Sequence, residues 1–338
     1  MPSPLPIKTI ALFPKIQADT ATALYILKTF GQSAFPGIDQ ANVVFWTGLP
    51  EGTTAEKWQS EGTLPVDLGG GLFDHHVTNQ ESGKRTECVS TLIAKYLGIE
   101  SQPALRKILA WAKRDDLEGK GTISEDPLDR AFGLSGIIMN LNRAFNETPQ
   151  KVLDLILPIL HYHVLEEVKR TEELPKEWEQ LLASGKAQQV KFKQGPAELK
   201  GAVVETDNIA LAGYLRAAKR MDVIIQRRST GHTNVLTQQV RSLDLRPVIE
   251  GLRIAEGMKK QVTLPLDHEK LQAAGKLEGV EEWFYDDAAN TLQNGGVNPG
   301  TTPATRLSLG EVVALVEKNL PKGVIGSLKR LKAQQLSK

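Results

Sequence analysis

Asp74-His75-His76 places three ionisable side chains in a row directly after Leu72-Phe73, with Asp67 seven residues before Asp74. Carboxylates and an imidazole facing one cleft are a donor set for a hard divalent cation, which can polarise a phosphoryl oxygen. Such groups make poor core filler, because each must be paired or hydrated if it leaves water. Gly69-Gly70-Gly71 lies between Asp67 and the triplet, and three residues without Cβ let backbone or ligand approach closely. A further carboxylate at Asp115 or Asp116 would complete a site suited to phosphoester hydrolysis.

Positioning these residues requires strand ends and helix starts. Lys8 to Leu12 is a short apolar run fit for a buried strand, closed by Phe13-Pro14, and Asp19-Thr20 precedes a helical stretch from Ala21 to Phe30. Asn42 to Trp46 and Leu64 to Asp67 read as further strands, and Cys88 to Leu97 and Ala104 to Asp116 as helices. Alternation of this kind implies an α/β fold with a parallel sheet. From Pro127 to about Glu172 the pattern is mostly helical, with Val152, Leu155, Ile156, Ile159 and Leu160 at helical spacing. Leu174 to Pro196, rich in Lys, Glu, Gln and Gly, reads as a linker. The expected division is therefore 1–172, a linker over 173–196, and a smaller α+β domain over 197–338. In the last part Gly201 to Val204 and Asp222 to Gln226 are strand-like. Ser229 to His232 turns into Asn234 to Gln238 as a hairpin. Helices are expected near Leu245 to Met258 and Ser308 to Asn319.

Composition narrows the class. The chain has 338 residues, more than one core usually serves. Its 41 Lys and Arg against 40 Asp and Glu leave +1, so whole-chain charge does not point to a polyanionic partner. The single cysteine, Cys88, excludes an intramolecular disulfide and a Cys-rich zinc site. No apolar run approaches a membrane span and no secretory leader pattern opens the sequence, so a cytoplasmic protein is expected. No Gly-x-Ser-x-Gly elbow, Gly-x-Gly-x-x-Gly turn or Walker A loop is present.

The stretch Val66-Asp67-Leu68-Gly69-Gly70 with Phe73-Asp74-His75-His76 resembles the DHH phosphoesterase superfamily, and within it a branch associated with 3′–5′ RNA exonuclease activity. The resemblance covers roughly the first 165 residues. It implies that Asp67 is a bridging metal ligand, that His75 is a ligand, and that His76, a catalytic residue, meets the substrate phosphate. It also implies a ligand Asp after a helix, at Asp115 or Asp116. With Leu105, Ile108, Leu109 and Ala112 inward, Asp116 lies near the centre of the buried face and Asp115 near its border, which favours Asp116. The family's first motif, His-x-x-x-Asp-x-Asp, is broken: Asp19 remains, while Phe13 and Gln17 replace the other two ligands. The set that survives, Asp19, Asp67, His75 and Asp116, belongs to one metal, so a single Mn²⁺ or Mg²⁺ is expected and a second site lost.

A substrate-binding C-terminal domain is also implied, although its Gly-Gly-Gly-His signature is absent; Asn294-Gly295-Gly296 is the nearest glycine cluster. Arg227, Arg228 and His232 at the hairpin, with Arg306, could grip phosphate. His161 and His163, two residues apart on a helix, point to different faces and do not form a shared site. His268 is expected at the surface, and Lys84-Arg85 in a solvated loop. The expected activity is hydrolysis of a nucleotide or short oligonucleotide, with a degenerate homologue that binds without turnover as the alternative. Homodimer formation is left open.

Overall fold

Thr9–Leu12 forms a central strand, β1, whose Ile10, Ala11 and Leu12 are fully buried, as a strand covered on both faces requires. The computed structural model describes residues 5–76, 86–119, 124–296 and 298–324, and the chain divides into two units, Met1–Thr171 and Glu172–Lys338. In the first unit β1 is followed by α1 (Ala18–Phe30), β2 (Asn42–Phe45), α2 (Ala55–Ser60) and β3 (Thr63–Pro65). Helices α3 (Val89–Tyr96), α4 (Arg106–Glu118), α5 (Pro127–Phe132), α6 (Leu134–Ala144) and α7 (Pro149–Val168) come next. The sheet has the order β2-β1-β3 and is parallel throughout, with Thr9 opposite both Asn42 and Thr63. The order of the strands switches at β1, because β2 is laid down on one side of it and β3 on the other. In open α/β sheets ligands bind at such a switch, outside the carboxyl ends of the strands, which here are those of β1 and β3.

Helix α1 is buried along Ala18 to Leu27, on every side, so it is an internal helix rather than an amphipathic surface one. Its alanines keep it slim enough to lie against α3, α4 and α7 at once. Leu24, Ile26 and Leu27, all at 0 % exposure, each contribute about 1.5–3 kcal/mol by leaving water. Asp19 and Thr20 are inside this helix rather than before it, the N-cap being Gln17.

The second unit contains α8 (Leu174–Ala183), β4 (Ala187–Gln194), β5 (Ala197–Glu205), α9 (Ile209–Ala217), β6 (Val223–Arg227) and β7 (Thr233–Thr237). It continues with α10 (Arg246–Lys260), α11 (His268–Gln272), β8 (Phe284–Asp286), β9 (Thr291–Gln293) and α12 (Leu309–Asn319). Its sheet has the order β4-β5-β6-β7-β9-β8; β5 and β6 are parallel and the other neighbours antiparallel. Side chains alternate between two cores. Val203, Val223, Ile225 and Val235 pack with Val248, Leu252, Val312 and Val316 of α10 and α12. Ala202, Val204 and Ile224 pack with Trp178 and Leu211 of α8 and α9.

Two expectations are corrected. The segment 173–196 is not a linker: it holds α8 and β4, and Leu174 and Trp178 are buried. Its polar composition reflects an edge strand with one solvent face, where Lys and Gln discourage further pairing. The C-terminal unit is not markedly smaller, since 172–338 nearly equals 1–171 in length. The hairpin around 229–232 is present as the β6–β7 pair, with Arg227 opposite Thr233.

Candidate metal centre

Asp67 leaves the carboxyl end of β3 with φ 59°, in the left-handed region that Asp tolerates better than most residues. Gly69 and Gly70 follow at φ 64° and 71°, so the chain turns back on itself, and the Asp67 N–H donates to the Phe73 carbonyl at 3.1 Å. What approaches the glycines is protein. A Cβ on Gly69 would meet Leu49 at 2.3 Å, and one on Gly71 would meet the Ala55 Cβ at 2.6 Å. Asp74 closes the loop: its carboxylate accepts from the Gly70 N–H at 2.8 Å and the His76 N–H at 3.0 Å. The first residue of the triplet is thus a clamp that fixes where the two histidines stand.

His75 is buried, and each of its ring nitrogens faces a carboxylate. Nδ1 is 2.7 Å from Asp67 Oδ1, and Nε2 is 3.3 Å from Asp116 Oδ2. Asp19, His75 and Asp116 bring donor atoms within 4.8 Å of one another, as do Asp67, His75 and His76. His75 is common to both triplets, so the three carboxylates expected to share one ion with it stand around a single imidazole. His76 is exposed, its ring centroid 4.1 Å from that of His75.

Asp19 has a second task. Its two carboxylate oxygens accept the N–H groups of Val89 at 2.7 Å and Ser90 at 2.9 Å, the first two residues of α3. Cys88, the N-cap of α3, is a weak acceptor, and Asp19 reaches across 70 residues to supply the charge that helix starts favour. Burial pushes the Asp19 carboxyl up to about 6; Ser90 and Cys88 draw it down, and the charge of Asp116 adds to the rise. Burial also pushes the Cys88 thiol up to about 12, with Asp19 adding to the effect, which keeps it an unreactive core residue. For His75 burial acts downward but is outweighed by Asp116 and Asp67, and the imidazole is pushed up to about 10. Without a cation, this site therefore holds a proton on His75, which an ion must displace.

These groups could hold a metal ion. Asp67 Oδ1 and His75 Nδ1 are sequestered from solvent, and they approach without the alignment of a hydrogen bond. Two donors about 2.1 Å from one ion and at right angles lie about 3 Å apart, close to the spacing seen here. One ion can take only one nitrogen of His75. The carboxylate at the other nitrogen then sets the tautomer and ring orientation, as outer carboxylates do for ligating histidines.

Periodicity ranked the two aspartates of α4 by burial in the wrong order. The buried stripe runs Ile108, Leu109, Ala112 and Asp115, leaving Asp116 on its rim with its side chain 15 % exposed. It is nevertheless Asp116 that reaches His75. Phe13 is 41 % exposed, one residue past β1, and Gln17 is half-buried at the N-cap of α1.

In the second unit the expected phosphate-gripping residues are largely engaged within the fold. Arg227 Nη1 donates to the Leu307 carbonyl at 2.9 Å and to the Thr233 hydroxyl at 3.1 Å. Arg228 lies 4.0 Å from Asp207. His232 is buried, with Nδ1 2.8 Å from the Thr230 hydroxyl and Nε2 2.9 Å from the Thr302 carbonyl, a pattern that makes Nε2 the donor. Arg306 is exposed, and its Nη1 donates to the Lys259 carbonyl at 3.3 Å. Asn294 ties this region together, accepting from the N–H groups of Thr233 and Thr305. His161 and His268 are exposed, the latter 2.5 Å from Glu250, and His163 is half-buried. Lys84 and Arg85 lie outside the described residues. No helix among the described residues is long and apolar enough to cross a membrane. Comparison with family models, curated proteins and solved structures gave no match.

Proposed function

We propose that the protein is a metal-dependent phosphoesterase of the DHH type, acting on the phosphodiester of a nucleotide or short oligonucleotide. The observation that carries this reading is the gathering of Asp19, Asp67 and Asp116 around the buried His75. The location supports it too, since Asp67 and Asp19 follow β3 and β1 at the switch point of a parallel sheet. One Mn²⁺ or Mg²⁺ would suit carboxylates with a single imidazole nitrogen, the carboxylate at the other nitrogen of His75 orienting the ring, and when bound it would supply a Lewis acid for a phosphoryl oxygen. The chain's own contribution is positional. Asp74 fixes the loop, Asp67 and Asp116 orient the His75 ring, and the exposed His76 would meet a phosphate oxygen. Arg306, the exposed member of the four C-terminal candidates, is the one with a side chain open to a phosphate.

A second reading has its own observation. Phe13 and Gln17 stand where the resemblance calls for ligands, and both oxygens of Asp19 already cap α3. In that reading the chain binds nucleotide without turnover.

The test is to measure bound Mn²⁺ and Mn²⁺-dependent cleavage of a dinucleotide and a short RNA by wild type, Asp67→Ala and His75→Ala. The enzyme reading expects about one ion per chain and hydrolysis that both variants lose, with metal affinity lowered at least about tenfold. Nucleotide binding without turnover supports the second reading. Absence of both metal and nucleotide binding overturns the two together.

A further inference from the structure

Helix α4 has a second working face. Lys107, Trp111 and Arg114, at i, i+4 and i+7, lie on the side of the helix opposite Asp116 and, with Ile108, line a cavity of about 1000 Å³ bounded by α5, α6 and α7. That volume is at the upper end of small-molecule pockets, about 300–1,000 Å³. Its body is apolar, with Ile108, Trp111, Leu134 and Leu160 in the wall, and Leu128 and Phe132 of α5 on it as exposed side chains.

The charged part of the wall has one sign. Among the described residues no Asp or Glu lines the cavity, whereas Lys107, Arg114 and Arg130 do. Lys107 is neutralised by Glu167 at 2.7 Å. The guanidinium groups of Arg114 and Arg130 have no ion pair or hydrogen bond among the described residues. Gly133 to Gly136 also line the wall, so α6, eleven residues long, turns its positive end toward the cavity, and its N-cap Gly133 gives no side-chain cap. Two arginines with no ion pair among the described residues, in a wall otherwise aromatic and aliphatic, are complementary to one oxyanion head on an apolar body.

We propose that this cavity binds a small amphiphilic oxyanion, a single phosphate or carboxylate on a flat or aliphatic body, at a site separate from the carboxylate–imidazole cluster. The proposal does not depend on the phosphoesterase reading.

The probes are 1-naphthyl phosphate, 1-naphthol, inorganic phosphate and octanoate, titrated by calorimetry into the full chain with EDTA present to strip divalent cations. Trp111 emission gives a second readout, assigned with Trp111→Phe. The expected result is saturable binding of naphthyl phosphate or octanoate at one site, with naphthol and phosphate at least about tenfold weaker, because each lacks half of the recognised groups. Octanoate against naphthyl phosphate distinguishes a carboxylate on a chain from a phosphate on a ring, and saturation by either supports the site. Arg114→Ala with Arg130→Ala should weaken binding at least about tenfold, and the double Lys replacement should restore part of it. Both arginines are exposed, so the melting temperature should stay unchanged. Asp67→Asn should bind the probe as wild type does. No saturation by either amphiphile, binding unchanged in the folded double-Ala variant, equal binding of neutral naphthol, or loss of binding in Asp67→Asn would each overturn the proposal.

Discussion

Asp19 shows how one carboxylate can serve two structures. Its oxygens accept two N–H groups of α3, and the same group lies within 4.8 Å of donor atoms on His75 and Asp116. A carboxylate has about four lone-pair sites, so capping leaves room for a cation. Gly71 is the matching negative case: its loop must run against Ala55 at the start of α2, and a Cβ there has no space. Gly71→Ala should lower stability by about 1–3 kcal/mol through overpacking. Ala55→Gly in the same chain should recover part of that loss. Urea denaturation of the four-member cycle checks this, and a coupling below about 0.5 kcal/mol would mean the two positions do not compete for space.

At the scale of elements, the end of the second unit is held by a polar lock rather than by burial alone. Gln194, at the end of β4, donates to the Asp244 and Leu320 carbonyls and accepts from the Asp244 N–H. The Asp244 carboxylate accepts from the Arg246 guanidinium at 2.8 and 2.9 Å and from the Val324 N–H at 3.2 Å. Burial acts to raise the Asp244 carboxyl, but Arg246 and Val324 outweigh it and hold it below its ordinary value of 3.8. A depressed folded pKa gives stability that is present above 3.8 and is lost as the pH falls through the lower folded value. Asp244→Asn should therefore be less stable than wild type at pH 7, by about 1 kcal/mol given the solvent-screened Arg246 head. The gap should narrow as the pH is taken below 3.8. Denaturation curves from pH 7 to 3 provide the measurement, and a gap independent of pH would remove the carboxylate from the explanation.

For the whole molecule, the decisive segment is the one whose composition reads as a linker. Leu174 and Trp178 of α8 belong to a core with Ala202, Val204, Leu211 and Ile224, so α8 is part of the second unit's fold. A fragment of residues 172–338 should unfold cooperatively. One starting at 185 lacks both side chains, and each such loss from a core removes about 2–5 kcal/mol. Circular dichroism through a urea titration distinguishes the two fragments, and equal midpoints would show that α8 is dispensable.

Features enforced by chain connectivity were legible in the order of the residues. Asp67, the glycines, Asp74 and the two histidines fall within ten residues, so any folded path keeps them near one another, and a site there could be read from their order. Strands buried on both faces, such as Ile10 to Leu12 and Val223 to Ile225, could be read because burial demands apolar runs. Features that depend on partners distant in the chain emerged with the fold. The polar edge strand β4 and the short strands β8 and β9 carry weak local signals and exist through pairing with their neighbours. The link from Asp19 to α3, the choice of Asp116 over the more buried Asp115, and the cavity beside Arg114 and Arg130 all arise from how helices pack. Spacing along one helix gives angles about its axis, but which neighbour stands at each angle is fixed by packing.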